Sequence, residues 1–223
     1  DDVELGAGGT VAKMVSQGLK VVLVDLTRGE LGTRGTPETR KEEGEAAAEI
    51  LGVTERINLN LRDGFFQCDE SSLLEVVKVI RRFRPRIVLA NAIDDRHPDH
   101  GKGAELVVQA SFLSGLVKCE TGEADAVHRP DAVYHYIQDY NRLPDVVVDI
   151  SGFEDQKMKA ILAYSSQFLD RNSSEPETPI STPEFLEHIK ARHLSMGRPC
   201  GFTSGEGFEV TRPVGVNSLN DLL

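Results

Sequence analysis

Short apolar runs alternate along this chain with stretches in which apolar residues recur every three or four positions. Val21-Val22-Leu23-Val24-Asp25-Leu26 is continuous and rich in β-branched residues, the pattern of a strand buried on both faces. Arg86-Ile87-Val88-Leu89-Ala90-Asn91, preceded by Pro85, reads as a second strand, and Val146-Val147-Val148-Asp149-Ile150 as a third. Ala132 to Ile137 and the weaker Arg56-Ile57-Asn58-Leu59 complete the set.

Helical patterns fall between the strands. Val11, Met14 and Val15 share a face that stops at Gly18. Asp1 and Asp2 precede that helix across what reads as a Gly-rich turn, Gly6-Ala7-Gly8-Gly9. Thr36 before Pro37 predicts an N-cap, and Gly52 ends the same helix. Capping boxes are expected at Ser72-Leu73-Leu74-Glu75, ahead of Val76, Val79 and Ile80, and at Ser151-Gly152-Phe153-Glu154, leading to Met158, Ile161, Leu162 and Phe168. Thr182-Pro183 opens a late helix through Phe185 and Ile189. The alternation predicts an α/β fold: a mostly parallel sheet with helices on both faces. The 223 residues suit one domain spanning 1–223, because the one long loop-like stretch, Asp170 to Pro183, lies late.

Charge and cysteine usage narrow the function. A formal net charge of −11 with no basic run argues against nucleic acid and against an anionic membrane surface. No apolar run approaches the roughly 18 residues of a membrane span, and no signal peptide is visible. Cys68, Cys119 and Cys200 are scattered, so reduced thiols in a cytoplasmic protein are expected rather than a disulfide framework.

The chemistry-bearing stretch is Asp95-Arg96-His97-Pro98-Asp99-His100. It follows the strand ending near Asn91, on the side where open α/β sheets bind ligands. Two imidazoles three residues apart, a carboxylate between them and a distant acidic pair match what a hydrolytic metal site needs. His100 and one carboxylate can hold a divalent ion, which lowers the pKa of a bound water. A second carboxylate can take the proton, and His97 can steady an oxyanion. The plain alternative is a solvated polar loop. A dinucleotide fingerprint fails on spacing, since Val11 stands where the third glycine is required. His128, His188 and His193 have no evident partner and are expected in solvent.

Taken with Asp1-Asp2-Val3-Glu4-Leu5-Gly6-Ala7-Gly8-Gly9-Thr10, Thr27-Arg28-Gly29-Glu30, Arg62-Asp63-Gly64-Phe65-Phe66, Tyr134-His135-Tyr136-Ile137-Gln138 and Ser165-Ser166-Gln167-Phe168, the chain resembles the LmbE/PIG-L family of zinc-dependent N-deacetylases. Within that family it is most similar to the bacillithiol-biosynthesis deacetylases acting on N-acetylglucosaminyl malate. The resemblance implies a Rossmann-like fold, hydrolysis of the N-acetyl group of a glucosamine conjugate, and a small-molecule glycoside as partner. It also implies a cytoplasmic homo-oligomer, such as a hexamer. It makes Asp1 the general base, Asp2 and His100 metal ligands, His97 the oxyanion stabiliser or amine acid, and Asp99 the carboxylate that tunes a neighbouring imidazole. Arg40 would face a substrate carboxylate and Asp63 sugar hydroxyls, against the alternatives of a helix arginine paired with Glu42 or Glu43 and a loop aspartate turning its own backbone. Glu4 would brace the Gly-rich turn or the metal shell, while Tyr136 and Gln138 would line the rim or pack. Zn2+ is the expected ion, with Fe2+, Co2+ or Mn2+ suited to the same donors. The family's first strand and the His two residues before its acidic pair have no counterpart here, and the chain is expected to be an N-terminally incomplete enzyme. Two alternatives are an amidase of the same family acting on another glycan or a thiol conjugate, and a non-catalytic sugar- or metal-binding pseudoenzyme.

Overall fold

Residues 1–123, 126–168 and 174–222 are described by the computed structural model. Part of the stretch from Asp170 to Pro183 therefore lies outside the described residues. Six helices and six strands occur among those described: α1 (Asp2–Ser16), β1 (Val22–Thr27), α2 (Pro37–Leu51), β2 (Glu55–Leu61), α3 (Glu70–Phe83), β3 (Ile87–Ala90), α4 (Pro98–Leu113), β4 (Ala132–Tyr136), β5 (Val146–Asp149), α5 (Glu154–Leu162), α6 (Pro183–Gly197) and β6 (Gly205–Val210).

The fold is the expected α/β, Rossmann-like arrangement, with its strands in two sheets. β1 and β2 form a parallel pair. The second sheet has the order β3-β4-β6-β5. β3 and β4 are parallel, while β6 runs antiparallel to β4 and to β5. Two of the four pairings are thus antiparallel, both through β6, a strand that periodicity did not reveal. Its sequence, Gly-Glu-Gly-Phe-Glu-Val, has two glycines and two glutamates, yet five of its six residues are buried. Among the described residues, β1 and β3 each pair on one side only.

Local chemistry accounts for the helix boundaries. The Thr36 side chain accepts the Thr39 N–H at 3.2 Å with Pro37 at the first position, and Gly52, at φ 73°, closes α2 in the left-handed region. Thr182 caps α6 through the Phe185 N–H at 3.3 Å. α3 starts earlier than its expected capping box, because Asp69 is the cap and accepts the Ser72 N–H at 2.9 Å. Ser151 caps nothing; its hydroxyl donates to Asp149 at 2.6 Å, and α5 ends at Leu162, before Phe168.

The Gly-rich stretch is not a turn. Gly6, Gly8 and Gly9 lie inside α1, where the missing side chains allow close packing: a β-carbon at Gly6 would strike the Tyr136 ring, and one at Gly9 would lie 2.8 Å from Ile150. α1 is thereby drawn onto the second sheet through Ala7, Tyr136 and Phe208. Its other face joins the main core with Leu23, Leu51, Ile161 and Leu186. A further cluster, Val76, Val77, Ile80, Leu106 and Ala110, seals α3 against α4. The three cysteines are free, and no helix among the described residues is long and apolar enough to cross a membrane.

Candidate active site

A cavity of about 570 Å3 opens beyond the carboxyl ends of β1, β3 and β4, and all seven sequence-predicted site residues line it: Asp1, Asp2, Arg40, Asp63, His97, Asp99 and His100. They arrive from different elements. Asp1 and Asp2 sit at the start of α1, Arg40 on α2, and Asp63 on the loop after β2. The two histidines meet at the start of α4, where Pro98 takes the first helical position and the His97 ring serves as cap, its Nδ1 accepting the Asp99 N–H at 3.3 Å.

The floor joins residues 98 positions apart: His100 Nε2 lies 3.3 Å from Asp2 Oδ2. The other ring nitrogen, Nδ1, is 2.8 Å from Asp95. Asp95 is itself fixed by the backbone N–H groups of Tyr140 and Arg96, both at 2.9 Å. The Gln138 amide donates to Asp2 Oδ1 at 2.7 Å. Burial opposes charge on His100, but the facing carboxylates Asp2 and Asp95 outweigh it and carry its pKa up to about 10. Burial likewise opposes ionisation of Asp95, and His100 with the two N–H donors brings it down to about 2. Asp2 moves the same way: its enclosure is overcome by His100, and its carboxyl stays below the usual carboxylate range.

The carboxylate that orients the imidazole is thus Asp95 rather than Asp99. Asp99 instead accepts the Gly64 N–H at 2.7 Å and pairs with Lys102 at 3.0 Å, anchoring the loop after β2 to α4. His97 is exposed, its ring 5.4 Å from that of His100. With Nδ1 engaged at the helix start, chemistry at this ring falls to Nε2.

Arg40 reaches Asp1, not a glutamate of its own helix: Nη2 is 3.5 Å from Asp1 Oδ2. Glu43 turns away to accept from Ser165 and Ser166. Beneath Arg40, Glu4 is fully buried and pairs with Arg56 at 2.7 Å, and Arg56 grips both oxygens of Asp25 at 2.7 and 2.6 Å. Glu4 therefore ties α1 into an ion network across β1 and β2 instead of bracing a turn. Asp63 accepts the Leu31 N–H at 2.9 Å, and its own N–H donates to Glu30 at 2.8 Å, which clips two pocket loops together.

Other expectations fare differently. Tyr136 lines the cavity but is only 2% exposed, packed with Ala7 and Phe208. His128 contacts the Pro85 carbonyl at 2.7 Å, and His188 is exposed beside Arg192. His193, expected in solvent, is 4% exposed. Asp95 lies inside the chemistry-bearing stretch but has no role assigned by the sequence, while Arg56 and Asp25 carry no signal of belonging to the site.

Asp2 and His100 present an oxygen and a nitrogen donor to one point, with the second imidazole nitrogen held by a carboxylate, as in many metal-binding histidines. Among the described residues, no group of three or more His, Cys, Asp or Glu side chains is placed to hold a metal ion. The described residues thus supply a two-donor edge where a catalytic zinc takes three protein ligands.

A family model described as PIG-L, GlcNAc-PI de-N-acetylase, matches residues 1–111. Diacetylchitobiose deacetylase of Thermococcus kodakarensis is 32% identical over 178 residues, 75% of this chain and 67% of that one. "Probable N-acetyl-alpha-D-glucosaminyl L-malate deacetylase 2" of Bacillus cereus is 29% identical, over 75% of this chain and 79% of its own. A Pseudomonas putida 4-oxalmesaconate hydratase is 27% identical over 72% and 68%. Among solved structures, a conserved protein of Thermus thermophilus superimposes with a TM-score of 0.86 at 37% identity, covering 96% of this chain and 92% of that one.

Proposed function

The chain belongs to the PIG-L (LmbE-like) deacetylase family, and on that premise we propose that it hydrolyses the N-acetyl group of a glucosamine conjugate, with N-acetylglucosaminyl malate of bacillithiol biosynthesis as the substrate. The observation that carries this reading is the 3.3 Å contact between Asp2 and His100, which joins the acidic doublet to the histidine pair in one pocket.

In this reading Asp1 accepts a proton from the attacking water as its oxygen adds to the acetamide carbon. Arg40, with Nη2 3.5 Å from Asp1 Oδ2, offers its remaining guanidinium edge to a substrate carboxylate. His97 Nε2–H steadies the developing oxyanion, and Asp1 passes the proton it took from water to the amine nitrogen as the C–N bond breaks, leaving acetate and the free glucosamine amine. Asp2 and His100 would hold a divalent ion, Zn2+ first among those that suit an oxygen and a nitrogen donor. Such an ion, when bound, supplies Lewis-acid polarisation and acidifies water. Asp95 and Gln138 keep the His100 ring and the Asp2 carboxylate in place. The proposal extends to a cytoplasmic location, on the scattered cysteines, and to a homo-oligomer, on the resemblance.

The test is acetate release by the purified chain from N-acetylglucosaminyl malate, diacetylchitobiose and N-acetylglucosamine, with 4-oxalmesaconate as the control for hydration. The malate conjugate is expected to be the best substrate. Equal turnover of plain N-acetylglucosamine removes the malate assignment. Hydration of the control without any acetate release removes the deacetylase reading. Metal analysis of the same sample, before and after chelation, tests the ion.

A further inference from the structure

Three elements meet beneath the pocket at an ion pair for which the proposed reaction has no use. Lys157 on α5 and Glu206 on β6 stand 2.6 Å apart and are 1% and 2% exposed. Both also reach the backbone of α1. Lys157 Nζ donates to the Leu5 carbonyl at 2.8 Å, and Glu206 accepts the N–H groups of Gly9 at 2.9 Å and Thr10 at 2.7 Å. The Leu5 carbonyl and the Gly9 N–H are the acceptor and donor of a single i→i−4 rung of an α-helix. The pair therefore engages both ends of one rung, midway along α1.

The local sequence is shaped for this contact. A β-carbon at Gly8 would lie 3.1 Å from Lys157 Cγ, so the glycine opens the path by which the lysine reaches Leu5. Gly6, Gly8 and Gly9 together make this the weakest part of the helix, since glycine gives up the most backbone freedom and shields nothing. The turn just before it carries Asp1 and Asp2, and the Leu5 N–H bonds the Asp1 carbonyl at 3.0 Å. A shift of that turn moves Asp2 away from His100.

We propose that the Lys157–Glu206 pair is a positioning device: it bridges the glycine-weakened rung of α1 and so holds the turn bearing Asp1 and Asp2 in register with His100. Stability alone does not call for it, because a well-packed apolar pair of similar volume is often as stable as a buried ion pair. An apolar pair cannot satisfy a carbonyl and two N–H groups on one helix.

The test replaces both partners together, K157M/E206Q, so that no unpaired charge is buried. The folded double variant is expected to lose at least tenfold in kcat for acetate release while KM stays within twofold. Its Gly9 and Thr10 amides are expected to exchange hydrogen at least tenfold faster than in the native chain. Native kcat in the folded variant overturns the proposal. If the variant does not fold, the native chain decides. Its Gly9 and Thr10 amides must exchange as slowly as that of the buried Val77, and exchange as fast as at the helix end, Ser16, overturns it. The kcat arm rests on the deacetylase reading and the exchange arm does not. A native chain that releases no acetate therefore defeats that reading while the bridge is still tested.

Discussion

At the floor of the pocket, Asp2, His100, Asp95 and Gln138 hold one another through buried or half-buried side chains. At the mouth, Asp63, Arg28 and Arg96 are each tied to a neighbouring loop or helix start, and Arg28 and Arg96 are about half exposed, at 47% and 49%. The difference is one of dielectric. Charges at the floor face each other out of water and move one another's pKa values far, while at the mouth solvent screens them. The floor is suited to hold a charge distribution fixed through a reaction. The mouth is suited to sort substrates as they enter.

That contrast can be broken most sharply at the Asp1 carboxylate, above the floor. Asp1→Ala is expected to lower kcat by about 10²–10⁴-fold, the range for a lost general base, and to leave metal content unchanged. Native turnover in this variant removes the assigned role. Next comes Asp95→Asn, which keeps the shape of the floor but removes the charge behind His100. A loss of about 10–100-fold in activity is expected, as for other residues that orient a ligating imidazole. An effect no larger than that of a surface substitution would show that His100 is held without it. At the mouth, Arg40→Ala should raise KM for the malate conjugate about tenfold at unchanged kcat, the mark of lost ground-state binding. The same variant should treat plain N-acetylglucosamine as the native chain does. A fall in kcat for both substrates would move Arg40 from the mouth to the floor.

The smallest expected effect concerns a buried imidazole outside the site. His193 lacks the facing carboxylates of His100: burial, with Lys157 and Arg192 nearby, lowers its pKa to about 3 from 6.5. The unfolded chain then takes up a proton that the fold refuses. This contribution to stability is complete above pH 6.5 and declines as pH falls towards 3, by about 2 kcal/mol between pH 7 and pH 5. Urea midpoints at the two pH values should differ less in His193→Leu than in the native chain. An unchanged difference would mean that His193 titrates normally.

Legibility in the sequence followed the range of the interactions. β1, β3, β4 and β5 announce themselves through β-branched runs, and the ends of α2 and α6 through Thr-Pro caps, because those signals are local. β6 is hidden, since its glutamates are made tolerable in the interior only by distant partners: Glu206 by Lys157 and Glu209 by Arg142. The same limit applies to the site. The acidic doublet and His97 to His100 were visible as motifs, and the structure brings them together. Arg56, which ties Glu4 on α1 to Asp25 on β1, gave no hint in a strand of ordinary polarity. The resemblance gives the tuning role to Asp99 and none to Asp95. The helical turn instead directs the Asp99 side chain towards Gly64 and leaves the residue five positions before His100 to meet the ring.

The empty space at Gly6 and Gly9 has an outcome for anyone mapping this protein by mutation. Neither residue can touch a substrate atom through a side chain, yet one added methyl at either collides with the Tyr136 ring or with Ile150 and dislodges the helix that presents Asp1. In a saturation screen scored by loss of turnover, these two spacers would rank beside the reacting groups. Only a parallel assay of folding would tell silence of the chemistry from collapse of its scaffold.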